Sequence, residues 1–167
     1  MVEYWKGKLN AAARSCYERI LAGLRKYQES IECNGMDQRD IFDAYFAVYN
    51  DHPEIFYMSN APRINQQEVK SIGLFSTTNL YATLVASNIY DRRTIERCDQ
   101  QIKKIVSIFD KNMNDFDLVL RCIEYIVLNT EYKIDNQLNQ NAAAALCYHR
   151  AQCSGISKAV KISIKKH

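Results

Sequence analysis

The stretch "ALCYHRAQCSGISKAVK", Ala145 to Lys161, decides how the last third of the chain folds, because two periods compete in the residues after Gly155. Ile156, Ala159, Val160 and Ile164 recur at spacings of three and four, which is one stripe of a helix with Lys158, Lys161 and Lys165 opposite, whereas "VKISIK" also alternates as a strand would. The helical reading is adopted. It places Cys153 in the first turn, where unpaired N–H groups and the helix dipole favour a thiolate over a thiol. Gly155, two residues on, has no Cβ and lets a substrate backbone or another segment of the chain come close. His149 lies four residues before Cys153, so the stretch raises the question of a nucleophile and its base.

Working back along the chain, the pattern is mostly helical with one β interruption. Leu9, Ala13, Cys16, Ile20, Leu24 and Tyr27 predict a first helix that ends before Ser30. Asn34-Gly35 breaks the chain, and Asp37 is a good N-cap for "QRDIFDAYFAVYN". Pro53 and Pro62 bracket "EIFYMSNA", expected to pack on the core as an irregular or strand-like piece. The β-branched and aromatic residues of "VKSIGLFSTTNLYATLVASNIY", Val69 to Tyr90, predict an antiparallel hairpin turning at Ser76–Asn79.

Helices resume after the cap Asp91, with Ile95, Cys98, Ile102, Ile105 and Phe109 inside. A further helix starts at Asn114 or Asp115 and turns Val119, Cys122, Ile123 and Ile126 inward. A short alanine-rich helix precedes the cysteine helix. The expected class is α+β, predominantly helical. Residues 1–112 read as an N-terminal region of helices plus hairpin and 113–167 as the part carrying the cysteine helix, together one compact unit.

Composition narrows the function. The chain has 167 residues, 47% of them hydrophobic and 25% charged, enough for a single core of ordinary size. No apolar run suits a membrane span, and the start lacks the basic-then-apolar order of a secretion signal. Six cysteines, at 16, 33, 98, 122, 147 and 153, lack the CxxC spacing of zinc sites. They read as reduced thiols in a cytoplasmic setting, with Cys16, Cys98 and Cys122 as core filler. After Asp135 come five basic and no acidic residues, a weak basic tail that does not point to nucleic acid. No Walker loop, GxGxxG, HExxH or GxSxG occurs. Cys153 is left as the pointed candidate.

The run from Leu120 to Lys161, with Ala145, Leu146, Cys153, Gly155 and Ala159 in the order A-L…C-x-G-x-x-x-A, resembles the nucleophile segment of transglutaminase-like proteins, a superfamily papain-like in fold. "DHPEIFYM", Asp51 to Met58, is similar to a stretch found upstream in bacterial members. The resemblance implies acyl transfer: the Cys153 thiolate attacks an amide carbonyl of a protein or peptide, forms a thioester and passes the acyl group to water or an amine. It implies a histidine base and an Asp or Asn on strands downstream of the cysteine, and a fold completed by a C-terminal sheet. This sequence departs from that pattern, since only His167 follows Cys153 and no acidic residue does.

His149 precedes the cysteine against the family order, His52 beside Pro53 reads as shaping its segment, and His167 is expected to be frayed. The expectation is therefore a truncated, transglutaminase-like cysteine hydrolase or acyltransferase segment, inactive in this chain alone. Two alternatives are a non-catalytic interaction module and a site assembled with another chain. No cofactor and no metal are expected. Self-association through the C-terminal apolar face, Ile156, Val160 and Ile164, is the partner expectation besides a protein or peptide substrate.

Overall fold

The computed structural model describes residues 3–71, 77–110, 112–134 and 137–167. The chain divides into two compact units, Val2–Asn88 and Ile89–His167. Residues 112 and 113, between which the sequence suggested a border, both belong to the second. The class is α+β and predominantly helical. No described helix is long and apolar enough to cross a membrane.

In the first unit, a single 3-10 turn, Lys6–Lys8, leads to α1, Ala11–Arg25, and then to β1, Ser30–Glu32, and α2, Gln38–Asp51. The Asn10 side chain accepts the Ala13 N–H and starts α1, and Asp37 does the same for α2 through Arg39, as its cap position predicts. The hairpin is β2, Arg63–Ser71, and β3, Thr77–Val85, and the sheet order is β1–β3–β2, antiparallel throughout. The first strand starts six residues earlier than Val69, in the polar run "RINQQE", because each of those residues has a partner on β3. The turn is not at Ser76–Asn79: Thr78 pairs with Lys70 and Asn79 with Val69, and the connection, 72–76, lies outside the described residues.

Tyr17, Ile20 and Leu24 of α1 and Ile41, Tyr45 and Val48 of α2 are fully buried, with Ile31 and Leu84 from the sheet. Each such side chain contributes about 1.5–3 kcal/mol by leaving water. The segment after Pro53 is irregular, as expected, and buries Ile55, Phe56, Tyr57 and Met58; the Tyr57 hydroxyl donates to the Leu24 carbonyl.

In the second unit α3, Arg92–Val106, is capped by Asp91, and α4, Asp115–Leu128, by Asn114. There follow β4, Glu131–Tyr132, a 3-10 turn Gln137–Gln140, α5, Ala142–Tyr148, β5, Arg150–Ala151, and α6, Cys153–Lys166. α6 packs against α3, α4 and α5. The helical reading of the final segment is therefore right, but its buried stripe is rotated from the one the apolar pattern suggested. Gly155, Ala159, Ile162 and Ser163 face inward, while Ile156, Val160 and Ile164 are only half-buried. The small residues Gly155, Ala159 and Ser163 let α6 approach its neighbours closely, with Ile162 as the large apolar side chain on that face.

α4 departs further. Leu118, Cys122 and Ile126 are buried, but Ile123, expected inside, is exposed, together with Phe116, Leu120 and Val127. The helix is apolar nearly all round, so period alone does not select a face. Phe109, also expected inside, is half-buried.

Candidate active site

Cys153 is the first residue of α6, and its side chain is exposed. The short strand β5 holds the segment before it. β5 pairs in parallel with β4, Glu131 opposite Arg150 and Tyr132 opposite Ala151, and the Lys133 N–H bonds to the Ala151 carbonyl at 3.1 Å. The Gln152 N–H then donates to the Asn139 carbonyl at 2.8 Å. The Ser154 hydroxyl bonds to the Gln140 carbonyl, and the Ser157 hydroxyl to that of Cys153.

Gly155 completes the seat. A Cβ there would stand 2.9 Å from the Asn141 carbonyl oxygen and closer still to that of Asn139. The close approach that glycine permits is thus used by the chain itself, at the residues that precede α5. The Asn141 side chain caps α5 through the Ala144 N–H, at 3.0 Å, and meets the Tyr90 hydroxyl at 3.2 Å. Burial raises the Tyr90 phenol to about 12, with the Asn141 bond acting in the opposite sense.

The helix start itself is distinctive. Among the described residues, α1 to α5 each begin with an Asn or Asp side chain on a backbone N–H, and α6 has no capping side-chain bond at Gln152. Its first-turn N–H groups are those that helix geometry leaves without intrahelical partners. They belong to the turn that begins at the exposed Cys153.

Each of the three histidines bonds elsewhere among the described residues. His149 stops α5 in the left-handed region, φ 58°, and its Nδ1–H donates to the Asn129 carbonyl at 2.9 Å. His52, in the other unit, is buried: its Nε2 meets the Tyr17 hydroxyl at 2.8 Å and its Nδ1 the Glu54 carboxylate at 2.9 Å. The neighbouring Asp51 carboxylate accepts the N–H groups of Trp5 and Lys6, so this cluster ties down the N-terminal turn. His167, expected to be frayed, is instead held by its Nε2 to the Asp110 carbonyl at 2.9 Å. No group of three or more His, Cys, Asp or Glu side chains that could hold a metal occurs among the described residues.

Two further features of this unit were not read from the sequence. Lys158, placed opposite the apolar stripe, is half-buried, and desolvation, aided by Lys161, lowers its ammonium to about 7. A cleft of about 320 Å³ lined by Tyr90, Leu138, Asn139, Ala144, Tyr148 and Arg150 shares Asn139 with the seat of α6. Its residues come from well-separated parts of the unit, and no local pattern announces them. No family model matches the chain, and no curated protein is found that is similar to it.

Proposed function

We propose that Cys153 occupies the nucleophile position of a transglutaminase-like acyl-transfer site, and that this chain holds that position without a resident base. The observation that carries the reading is an exposed thiol on the first residue of α6, at a helix start with no capping side-chain bond. In this chemistry the Cys153 thiolate adds to the amide carbonyl of a protein or peptide, the helix-start N–H groups steady the oxyanion, and the amine departs once it is protonated. That proton needs a carrier, and the three histidines are engaged elsewhere. The chain by itself therefore takes an acyl group from an activated donor and does not turn over amides. The reading calls for no cofactor and for a cytoplasmic setting in which the cysteine remains reduced.

Limited alkylation of the folded chain with iodoacetamide, followed by peptide mapping, tests the nucleophile assignment: Cys153 is labelled ahead of Cys147, and Cys153→Ser abolishes the fast phase. Labelling of Cys147 or of a buried thiol first defeats it. An assay for incorporation of a fluorescent primary amine into a glutamine peptide is expected to show no turnover.

A second reading, a non-catalytic interaction module, is favoured by α4. Phe116 is 71% exposed, Leu120 48% and Val127 56%, and several large apolar side chains exposed on one helix are the kind of surface that contacts use.

A further inference from the structure

The six cysteines, scattered in sequence, do not remain scattered in space. Cys16, on the inner face of α1, and Cys33, one residue past β1, place their sulfurs 3.6 Å apart, and both side chains are wholly buried. Their separation exceeds a disulfide bond by only about 1.5 Å. Each is held firmly on its own element. Cys16 lies within α1, and the Cys33 N–H donates to the Ala82 carbonyl at 2.7 Å, continuing the ladder to β3.

We propose that Cys16 and Cys33 are a latent disulfide site, a dithiol that exchange with a small disulfide of the glutathione class closes into a cross-link between α1 and the edge of the sheet. This lies in the other unit from Cys153 and is independent of the acyl-transfer reading.

The surroundings assign the order of the two thiols. The Arg19 guanidinium, one turn beyond Cys16, reaches the Glu32 carbonyl at 3.3 Å and so lies beside Cys33. The Cys16 S–H points at the Cys33 sulfur. Both favour negative charge on Cys33, whose thiol is lowered, first by the Cys16 bond and then, against burial, by Arg19, while that of Cys16 is raised. A cleft of about 410 Å³ whose lining includes Arg19, Lys26, Gln28, Ser30 and Glu32 opens on the α1–β1 surface, next in sequence to Cys33; its two cations outnumber its one carboxylate.

Cys33 thiolate attacks one sulfur of the small disulfide, forming a mixed disulfide and releasing one small thiolate. Cys16 then attacks the Cys33 sulfur, releases the second small thiolate and gives up its proton to solvent. Two protein thiols lose two electrons, and one small disulfide is reduced to two thiols. Because both sulfurs are buried, exchange proceeds through opening of the α1–β1 contact.

The test is to equilibrate the chain in reduced and oxidised glutathione of increasing oxidant ratio at a temperature just below melting, where access does not limit exchange. Free thiols are then trapped with N-ethylmaleimide in denaturant, and the unreduced digest is mapped by mass. The expected result is a peptide joining Cys16 to Cys33 that accumulates with one midpoint, is unchanged by Cys153→Ser, and is accompanied by a rise in melting temperature. Recovery of both cysteines as maleimide adducts in the most oxidising buffer overturns the proposal, as does pairing of either with another cysteine. Because the wild-type chain gives the deciding readout, a Cys33→Ser variant serves only to confirm the peptide's identity.

Discussion

The space a Cβ on Gly155 would need is taken by the carbonyl oxygen of Asn139, the same oxygen that accepts the Gln152 N–H, so one backbone carbonyl fixes both the start of α6 and the distance at which α6 packs. The seat of Cys153 therefore depends on a residue with no side chain. Gly155→Ala is expected to cost about 1–3 kcal/mol, the range for overpacking against atoms that cannot retreat, even though alanine is the better helix former. Denaturant unfolding measures it, and a gain in stability would show that the Asn139–Asn141 backbone yields.

His149 is read as the stop of α5 and not as a catalytic base. A left-handed backbone suits Asn or Gly better than His, so His149→Asn is expected to leave stability within about 1 kcal/mol and the alkylation rate of Cys153 unchanged. A fall in that rate without a fall in stability would make His149 a partner of the thiol.

Lys158 gives a pH dependence. Its folded-state value, about 7, is below its ordinary 10.5, so between these limits the unfolded chain holds the proton and the folded chain releases it. Stability contributed at this site therefore rises with pH across that window and is lowest below it. Lys158→Met is expected to stabilise the chain by about 1–2 kcal/mol at neutral pH, allowing for residual solvent contact. The gain should vanish as pH passes 10.5. Guanidinium unfolding at several pH values from neutral upward checks both the size and the trend.

The outer face of α4 predicts association. Sedimentation of the wild-type chain is expected to show weight-average mass rising with concentration, and Leu120→Glu with Val127→Lys to abolish the rise without lowering the melting temperature. Ile164→Lys, on the half-buried face of α6 that the sequence alone suggested, should leave association intact.

The sequence reveals these features where one local rule dominates. Asp37, Asp91 and Asn114 cap the helices their side chains predict, because a cap is decided within three residues. Cys153 is legible as a first-turn residue because the spacing after it is helical. The polar start of β2 is not legible, because its partners on β3 fix it and strand propensity gives way to pairing. The exposed face of α4 is hidden because "FDLVLRCIEYIVL" offers apolar residues in every direction. The contact of Cys16 with Cys33, and the cleft floored by Asn139, join residues that only the tertiary fold brings together.

Exposure of the chain to a p-nitrophenyl ester, followed by intact mass and peptide mapping, tests most directly whether Cys153 is a nucleophile without a base. One acyl group per chain is expected on Cys153, with a single matching burst of nitrophenolate, and neither in Cys153→Ser. Sustained turnover abolished by that substitution would contradict it by revealing a working base, and acylation elsewhere with Cys153 untouched would contradict the nucleophile itself.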